Sequence, residues 1–320
     1  MKMVPEEFVK IFSVNLRKIL QNAIQDFNGL QEIRLRANAP VVIRYHDRIM
    51  YLTKDNRLSD LIQESILIPP CEIKETMEYI SNYSLYAYEE EIKRGYLTIN
   101  GGHRIGISGK VICENGKVQG IKHISCLCIR IAHEVIGCSN PILHYLFKNH
   151  DFMDTLIVSP PGFGKTTLLR DLIRNLSDGS NMRKQGYQLG LVDERSEIAA
   201  CHMGVPQNNI GKNTDVYDSC PKVTGINYLV RSMSPEVIAV DEVASSEDMF
   251  ALEQAFGCGC RIVATTHAAC IAELHNKRQW EKLLRDKCFQ RFIVIEKKEK
   301  TPLYKVFNQD GMPLIREGSV

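Results

Sequence analysis

The chain has 320 residues, 44% of them apolar and 24% charged, with a formal net charge of +2. That length can carry two domains with their own cores, and the composition is that of a globular protein rather than a disordered one. The near-balanced charge excludes a strong bulk field toward nucleic acid or membrane, and no apolar run approaches the roughly 20 residues of a membrane-spanning helix.

In chain order, residues 1–7 lack the apolar core of a signal peptide. A cytoplasmic protein is therefore expected, with any membrane association made through partners. Phe8, Ile11, Phe12, Leu16, Ile19, Leu20 and Ile24 have helical spacing over 8–24. Ile33 and Leu35, then Val41, Ile43 and Tyr45, alternate with polar residues as short strands around Pro40 and a His46-Asp47 turn. Ile73, Met77 and Ile80 mark a second amphipathic helix. From 95 to 131 the pattern is a β-meander. Its turns are Asn100-Gly101 and Asn115-Gly116, whose residues tolerate positive φ. These elements make residues 1–136 an α+β N-terminal domain. Arg104 and Arg130 lie in the meander, either as solvated strand charges or as arginines facing a neighbouring subunit's nucleotide. Residues 137–152, with Ile142, Leu143, Leu146 and Phe147, read as a linker bearing a short helix. The eleven cysteines, an odd number without a repeating frame, suit reduced thiols. Cys126/Cys128 and Cys258/Cys260 are spaced for packing on one strand face rather than for zinc.

Residues 153–320 are expected as an α/β domain. Its opening apolar run, Thr155 to Val158, leads into Ser159-Pro160-Pro161-Gly162-Phe163-Gly164-Lys165-Thr166-Thr167 and then a helical stretch. A strand, a glycine-containing loop and a helix in that order can wrap a polyphosphate with backbone N–H groups at the helix N-terminus. Lys165 is placed to reach the β- and γ-phosphates of ATP, and the Thr166 hydroxyl to sit on Mg²⁺. Ser159 stands where the strict pattern has its first glycine. Serine is small, so a mild effect is expected unless the position needs positive φ.

Four further apolar runs follow, at 189–192, 237–240, 261–265 and 292–295. Continuous apolar runs suit a parallel sheet covered on both faces, and ligands of such sheets bind at the carboxyl ends of the strands. Several of these runs end in reactive groups. Val237 to Val240 ends in Asp241-Glu242, a Walker B arrangement in which Asp241 holds the Mg²⁺ shell and Glu242 orients the attacking water. The run at 189–192 ends in Asp193-Glu194-Arg195-Ser196-Glu197, where Glu194 is the expected active-site carboxylate and Arg195 can pair with Asp193 or Glu197. The run at 261–265 leads to Thr266-His267, with His267 as a γ-phosphate sensor. Arg231 precedes the Walker B strand and either packs there or projects to a partner.

Together these words resemble the stage III sporulation protein AA family of endospore-forming bacteria, nearly end to end. The resemblance is carried by Gln31-Glu32-Ile33-Arg34-Leu35-Arg36, Gly101-Gly102-His103-Arg104-Ile105-Gly106, the P-loop through Asp171, Asp193-Glu194-Arg195-Ser196-Glu197-Ile198, and Arg231-Ser232-Met233-Ser234-Pro235-Glu236. That family is similar to the ATPases of type II and type IV secretion systems. The resemblance implies a RecA-like core behind the N-terminal domain, assembled as a ring, expected to be a hexamer. It also implies ATP turnover that energises a transmembrane complex of sporulation membrane proteins between mother cell and forespore, with this chain in the mother-cell cytoplasm. By the same resemblance Asp193, Glu194 and Glu197 fall in an Asp box and Thr266-His267 in a His box. Arg104 and Arg130 match arginines that approach the nucleotide. Many secretion ATPases have Gly-Glu where this chain has Asp241-Glu242.

Two other functional classes stay open. A nucleic-acid-dependent ATPase would need a basic, aromatic-rich groove, which the balanced charge and the single tryptophan, Trp280, do not suggest. An ATP-gated scaffold with little turnover is disfavoured by the intact Asp241-Glu242 pair.

Overall fold

The computed structural model describes residues 5–299 and 301–314. Residues 1–4, on which part of the signal-peptide reading falls, and 315–320, the end of the expected second domain, lie outside the described residues. The chain divides into two compact units, Met1–His133 and Glu134–Val320.

The first unit is built on an antiparallel sheet of seven strands. These are β1 (Leu30–Arg36), β2 (Val42–Tyr45), β3 (Arg48–Leu52), β4 (Leu58–Ser59), β5 (Tyr96–Thr98), β6 (Arg104–Glu114) and β7 (Lys117–Arg130), in the order β4-β3-β2-β1-β7-β6-β5. Alternation puts Ile33, Leu35, Ile43, Leu97, Ile105, Leu127 and Ile129 on one face, all of them fully buried. They share a core with the helices Val14–Ala23 and Pro70–Ile80. At the β6–β7 turn the positive φ values fall on Asn115 (50°) and Gly116 (73°), as an Asn-Gly hairpin requires. The single helix expected over 8–24 is two, Glu6–Val9 and Val14–Ala23. Ser13 interrupts it by capping the second helix with its hydroxyl, which accepts from Leu16 N.

The second unit carries the mainly parallel sheet. After a small hairpin of β8 (Phe147–Lys148) and β9 (Asp151–Phe152) come β10 (Thr155–Val158), β11 (Leu189–Asp193), β12 (Thr214–Asp218), β13 (Val237–Val240), β14 (Arg261–Thr266), β15 (Arg291–Lys298) and β16 (Thr301–Asn308). The order is β12-β11-β13-β14-β10-β15-β16, with only β16 antiparallel to its neighbour. The five expected runs are the five central strands; β12 and β16 are additions at the two edges. Period-two alternation splits the apolar residues between two cores. Ile157, Leu191, Ala239, Val263 and Ile293 pack with Leu168, Leu169, Leu172 and Ile173 of the helix Lys165–Asp178. Leu156, Val158, Val192, Ile238, Val240 and Ala264 pack with Ile226, Met249 and Leu252 from the helices Lys222–Tyr228 and Ser246–Gly257.

Residues 137–152, expected as a linker, place Ile142, Leu146 and Phe152 in the first of these cores. Their start is held on the P-loop helix by the Asp171 carboxylate, which accepts from Gly137 N (2.9 Å), Ser139 N (2.8 Å) and Ser139 Oγ (2.6 Å). A π-helical turn, Leu229–Met233, follows the helix Lys222–Tyr228 and ends in left-handed Ser234 just before Pro235. Arg231 on that turn is exposed.

Candidate active site

Register brings the reactive strand tips to one sheet edge. Val158 of β10 stands beside Thr266 of β14, Val240 of β13 beside Ala264 of β14, and Val192 of β11 beside Val240. Each strand therefore ends on the same side of the sheet, within two residues of its neighbours, and the residues that follow line a cleft of about 1000 Å³. Gly162, Gly164, Lys165, Thr166, Glu194, Arg195, Lys222, Glu242 and His267 all face it.

The loop from Ser159 turns through Gly162 (φ 74°) and Gly164 (φ 94°), a left-handed backbone that glycine adopts without strain. Ser159 is not among the positive-φ residues, so serine costs nothing in backbone conformation there. Its side chain is buried, with the hydroxyl donating to Pro160 O at 3.0 Å. Gly164 caps the helix Lys165–Asp178, and no side chain among the described residues caps that N-terminus. The leading N–H groups of the helix are thus open to an anion. Lys165 is buried beneath the loop. Its Nζ donates to Ser159 O (3.0 Å), Pro160 O (3.0 Å) and His267 Nδ1 (2.9 Å). Burial pulls this ammonium below the ordinary lysine range, against the opposing pull of Asp241 and Glu242.

Thr166 Oγ1 donates to Asp241 Oδ2 at 3.0 Å. The other Asp241 oxygen accepts from Thr265 Oγ1 and from Glu242 N (3.1 Å). These paired oxygens at the mouth of the loop are hard donors that fit Mg²⁺. Glu242 has φ 52°, a left-handed turn fixed by its N–H bonds to Asp241 and to Thr265 Oγ1 (2.8 Å). The turn aims its carboxylate back into the cleft. Oε1 meets His267 Nε2 at 3.1 Å, and Oε2 pairs with Arg195 at 2.7 Å. An ammonium only donates, so His267 Nδ1 must accept from Lys165, and Nε2 carries the proton offered to Glu242.

The acidic word after β11 separates into two roles. Asp193 is buried, and its carboxylate accepts from Glu197 N (2.9 Å), Ile198 N (2.9 Å) and Ala199 N (2.8 Å). Burial raises it to about 6, against the pull of those three donors. Asp193 thus folds the loop that carries Glu194 and Arg195. The P-loop helix braces the same loop, since Arg170 donates to Ile198 O (2.7 Å) and Glu197 O (2.6 Å). Glu194 faces the cleft paired with Lys222. Arg195, expected against Asp193 or Glu197, pairs instead with Glu242 across two strand tips. Replacing Asp193 by Ala strands three backbone donors and is expected to cost roughly 3 kcal/mol of stability. Urea unfolding measures it, and a midpoint equal to wild type would place the loop's support elsewhere.

Arg104 and Arg130 are directly opposed across β6 and β7, and Arg130 also opposes Glu32 on β1. They form one spot on the polar face of the first unit's sheet. Arg130 lies 3.7 Å from Glu32, and the Arg104 guanidinium covers the Tyr96 ring at 3.5 Å. Lys222, Arg170 and the Arg195–Glu242 pair escape a reading of the sequence. Each joins segments far apart in the chain, and the words that hold Arg170, Arg195 and Glu242 do not announce these partners.

The second unit has the RecA-like fold of the secretion ATPases. Over 88% of its length and 77% of the other, the chain superposes on the X-ray structure of the Legionella pneumophila ATPase DotB with a TM-score of 0.56 at 14% identity. The pilus retraction motor PilT with bound ADP gives 0.57 at 17% identity, over 87% of this chain and 78% of that one. The particular family follows from sequence. Residues 3–314 match the family described as Sporulation stage III, protein AA. The stage III sporulation protein AA of Bacillus subtilis (strain 168) is 38% identical over 297 residues, spanning 92% of each chain. The chain belongs to the stage III sporulation protein AA family.

Proposed function

We propose that this chain is a Mg²⁺-dependent ATPase that works as a ring, a hexamer in its active form, and energises a transmembrane complex of sporulation membrane proteins from the mother-cell cytoplasm. The observation that carries the reading is the meeting of Lys165, the Thr166–Asp241 pair and the Glu242 carboxylate at one sheet edge. Residues 159–167 cradle the phosphates with backbone N–H groups, and Lys165 moves from its carbonyl partners to the phosphate oxygens. Thr166 and Asp241 would hold Mg²⁺, which would supply positive charge to offset that of the phosphate oxygens. Glu242 orients a water for attack on the γ-phosphorus, so that a bond from water oxygen to phosphorus forms as the bond to the β–γ bridging oxygen breaks. Glu194 tunes the water network, His267 reports the γ-phosphate to Glu242, and Arg104 or Arg130 supplies charge from a neighbouring subunit. The fold neighbours, described as an ATPase and as a pilus retraction motor, support the motor class.

No helix among the described residues is long and apolar enough to cross a membrane, which fits attachment through partners. Trp280 is buried rather than offered to bases, so this side chain gives the nucleic-acid reading no stacking platform. The test is mass in solution with and without ATP and Mg²⁺, paired with phosphate release. ATP is expected to shift the chain to a ring and to give release per chain that rises with protein concentration. Rings without release would favour the scaffold reading, and stimulation by single-stranded DNA would favour the nucleic-acid one.

A further inference from the structure

Both oxygens of the Glu242 carboxylate are already engaged, Oε1 with His267 Nε2 and Oε2 with Arg195. A carboxylate that orients water needs an oxygen directed at that water. The two restraints differ in kind. His267 is tied inward to Lys165 at 2.9 Å, so its bond to Glu242 depends on where the P-loop lysine sits. Arg195 has a fixed base and an exposed end. Its loop is clamped by the Asp193 carboxylate and by Arg170, while its own side chain is 63% exposed at the cleft. A planar guanidinium binds phosphate oxygens at least as well as it binds a carboxylate, through the same forked geometry.

We propose that Arg195 is a positioning residue that holds Glu242 in a resting position and restrains hydrolysis, a restraint that a bound nucleoside triphosphate relieves only in part by competing for its guanidinium. The inference rests on Glu242 being the carboxylate that orients water. With phosphate bound, Lys165 leaves His267, while Arg195 divides its time between phosphate oxygens and Glu242. The carboxylate is then free to orient water for only part of the time, and turnover at saturating ATP still carries the restraint.

Steady-state phosphate release by the full chain, with ATP and Mg²⁺, tests this in wild type, Arg195→Ala, Arg195→Gln, Arg195→Lys and the double variant Arg195→Ala/Glu242→Gln. An exposed ion pair is a weak restraint, so Arg195→Ala and Arg195→Gln are expected to raise kcat by about fivefold with KM for ATP within about twofold. Arg195→Lys keeps the charge and should return kcat to within about twofold of wild type. In the Glu242→Gln background, Arg195→Ala should add nothing. A loose fold would not give this split between kcat and KM or its rescue by lysine. If both neutral variants lower kcat or leave it unchanged, Arg195 does not restrain the site and the proposal fails. If Glu242→Gln alone turns over at the wild-type rate, the assignment of Glu242 fails first, and that result is read independently of Arg195.

Discussion

Glu242→Gln is expected to bind ATP within about twofold of wild type and to lose turnover by about 10² to 10⁴. The amide has nearly the same shape, so the cleft keeps its volume. The left-handed turn at φ 52° is set by backbone bonds to Asp241 and Thr265, which the substitution does not touch. An amide oxygen can still accept from His267 Nε2. It cannot take a proton from water, and it holds no charge to polarise one. The ion pair with Arg195 is lost as well, but that contact is at the cleft mouth and sets no part of the phosphate cradle. Equilibrium binding of a fluorescent ATP analogue and phosphate release at saturating ATP separate the two effects. Full turnover in the Gln variant would remove Glu242 from the chemistry and turn attention to Glu194, another carboxylate that lines the cleft.

The chemical ends of the site are legible in the sequence because each closes an apolar run. Val158, Val240 and Thr265 are buried in a sheet whose strands are apolar on both faces, so the polar residues after them stand out. The same logic hides β12. Its residues, Thr214–Asp218, set only Val216 and Tyr217 between two aspartates on a half-exposed edge and carry no longer apolar run. β16 is hidden for another reason. It is antiparallel to β15, a pairing that the parallel pattern of the other strands does not announce. In the first unit, the helical spacing of 8–24 continues through Ser13, and only the capping bond to Leu16 N shows that the helix restarts there. The division of labour among the acids is the largest gap. Asp193 and Glu194 are neighbours in sequence, yet one is buried under three N–H donors and the other faces the cleft. Which of the two turns inward depends on the backbone of 196–199, including left-handed Ser196 (φ 53°), and no residue type announces it. Arg195 is misread for the same reason. Asp193 is turned inward onto backbone N–H groups, and the partner of Arg195 comes from a strand tip 47 residues on.

Lys165→Ala is expected to weaken ATP binding by about 10- to 100-fold, the range set by losing one charge-assisted contact to phosphate. The effect should be greater than for a surface lysine because Lys165 is buried, with Asp241 and Glu242 close enough to act on its charge. Removing it leaves those two carboxylates without their inner cation, so the cleft that remains repels the polyphosphate it once held. Two carbonyls, Ser159 O and Pro160 O, also lose their donor, and His267 Nδ1 loses the contact that fixes its tautomer. The loop should therefore loosen in the absence of nucleotide. The ligand effect can be read apart from that loosening through linkage, since a nucleotide that binds only the folded chain raises its melting temperature in proportion to ln(1 + [L]/Kd). Wild type is expected to melt at a higher temperature as ATP and Mg²⁺ are added, and the Ala variant to show little or no rise over the same range. Calorimetric titration then gives the affinities directly. Wild-type affinity in the Ala variant would mean that residues 159–167 do not hold the phosphates, and the catalytic roles assigned to Asp241, Glu242 and His267 would fall with them.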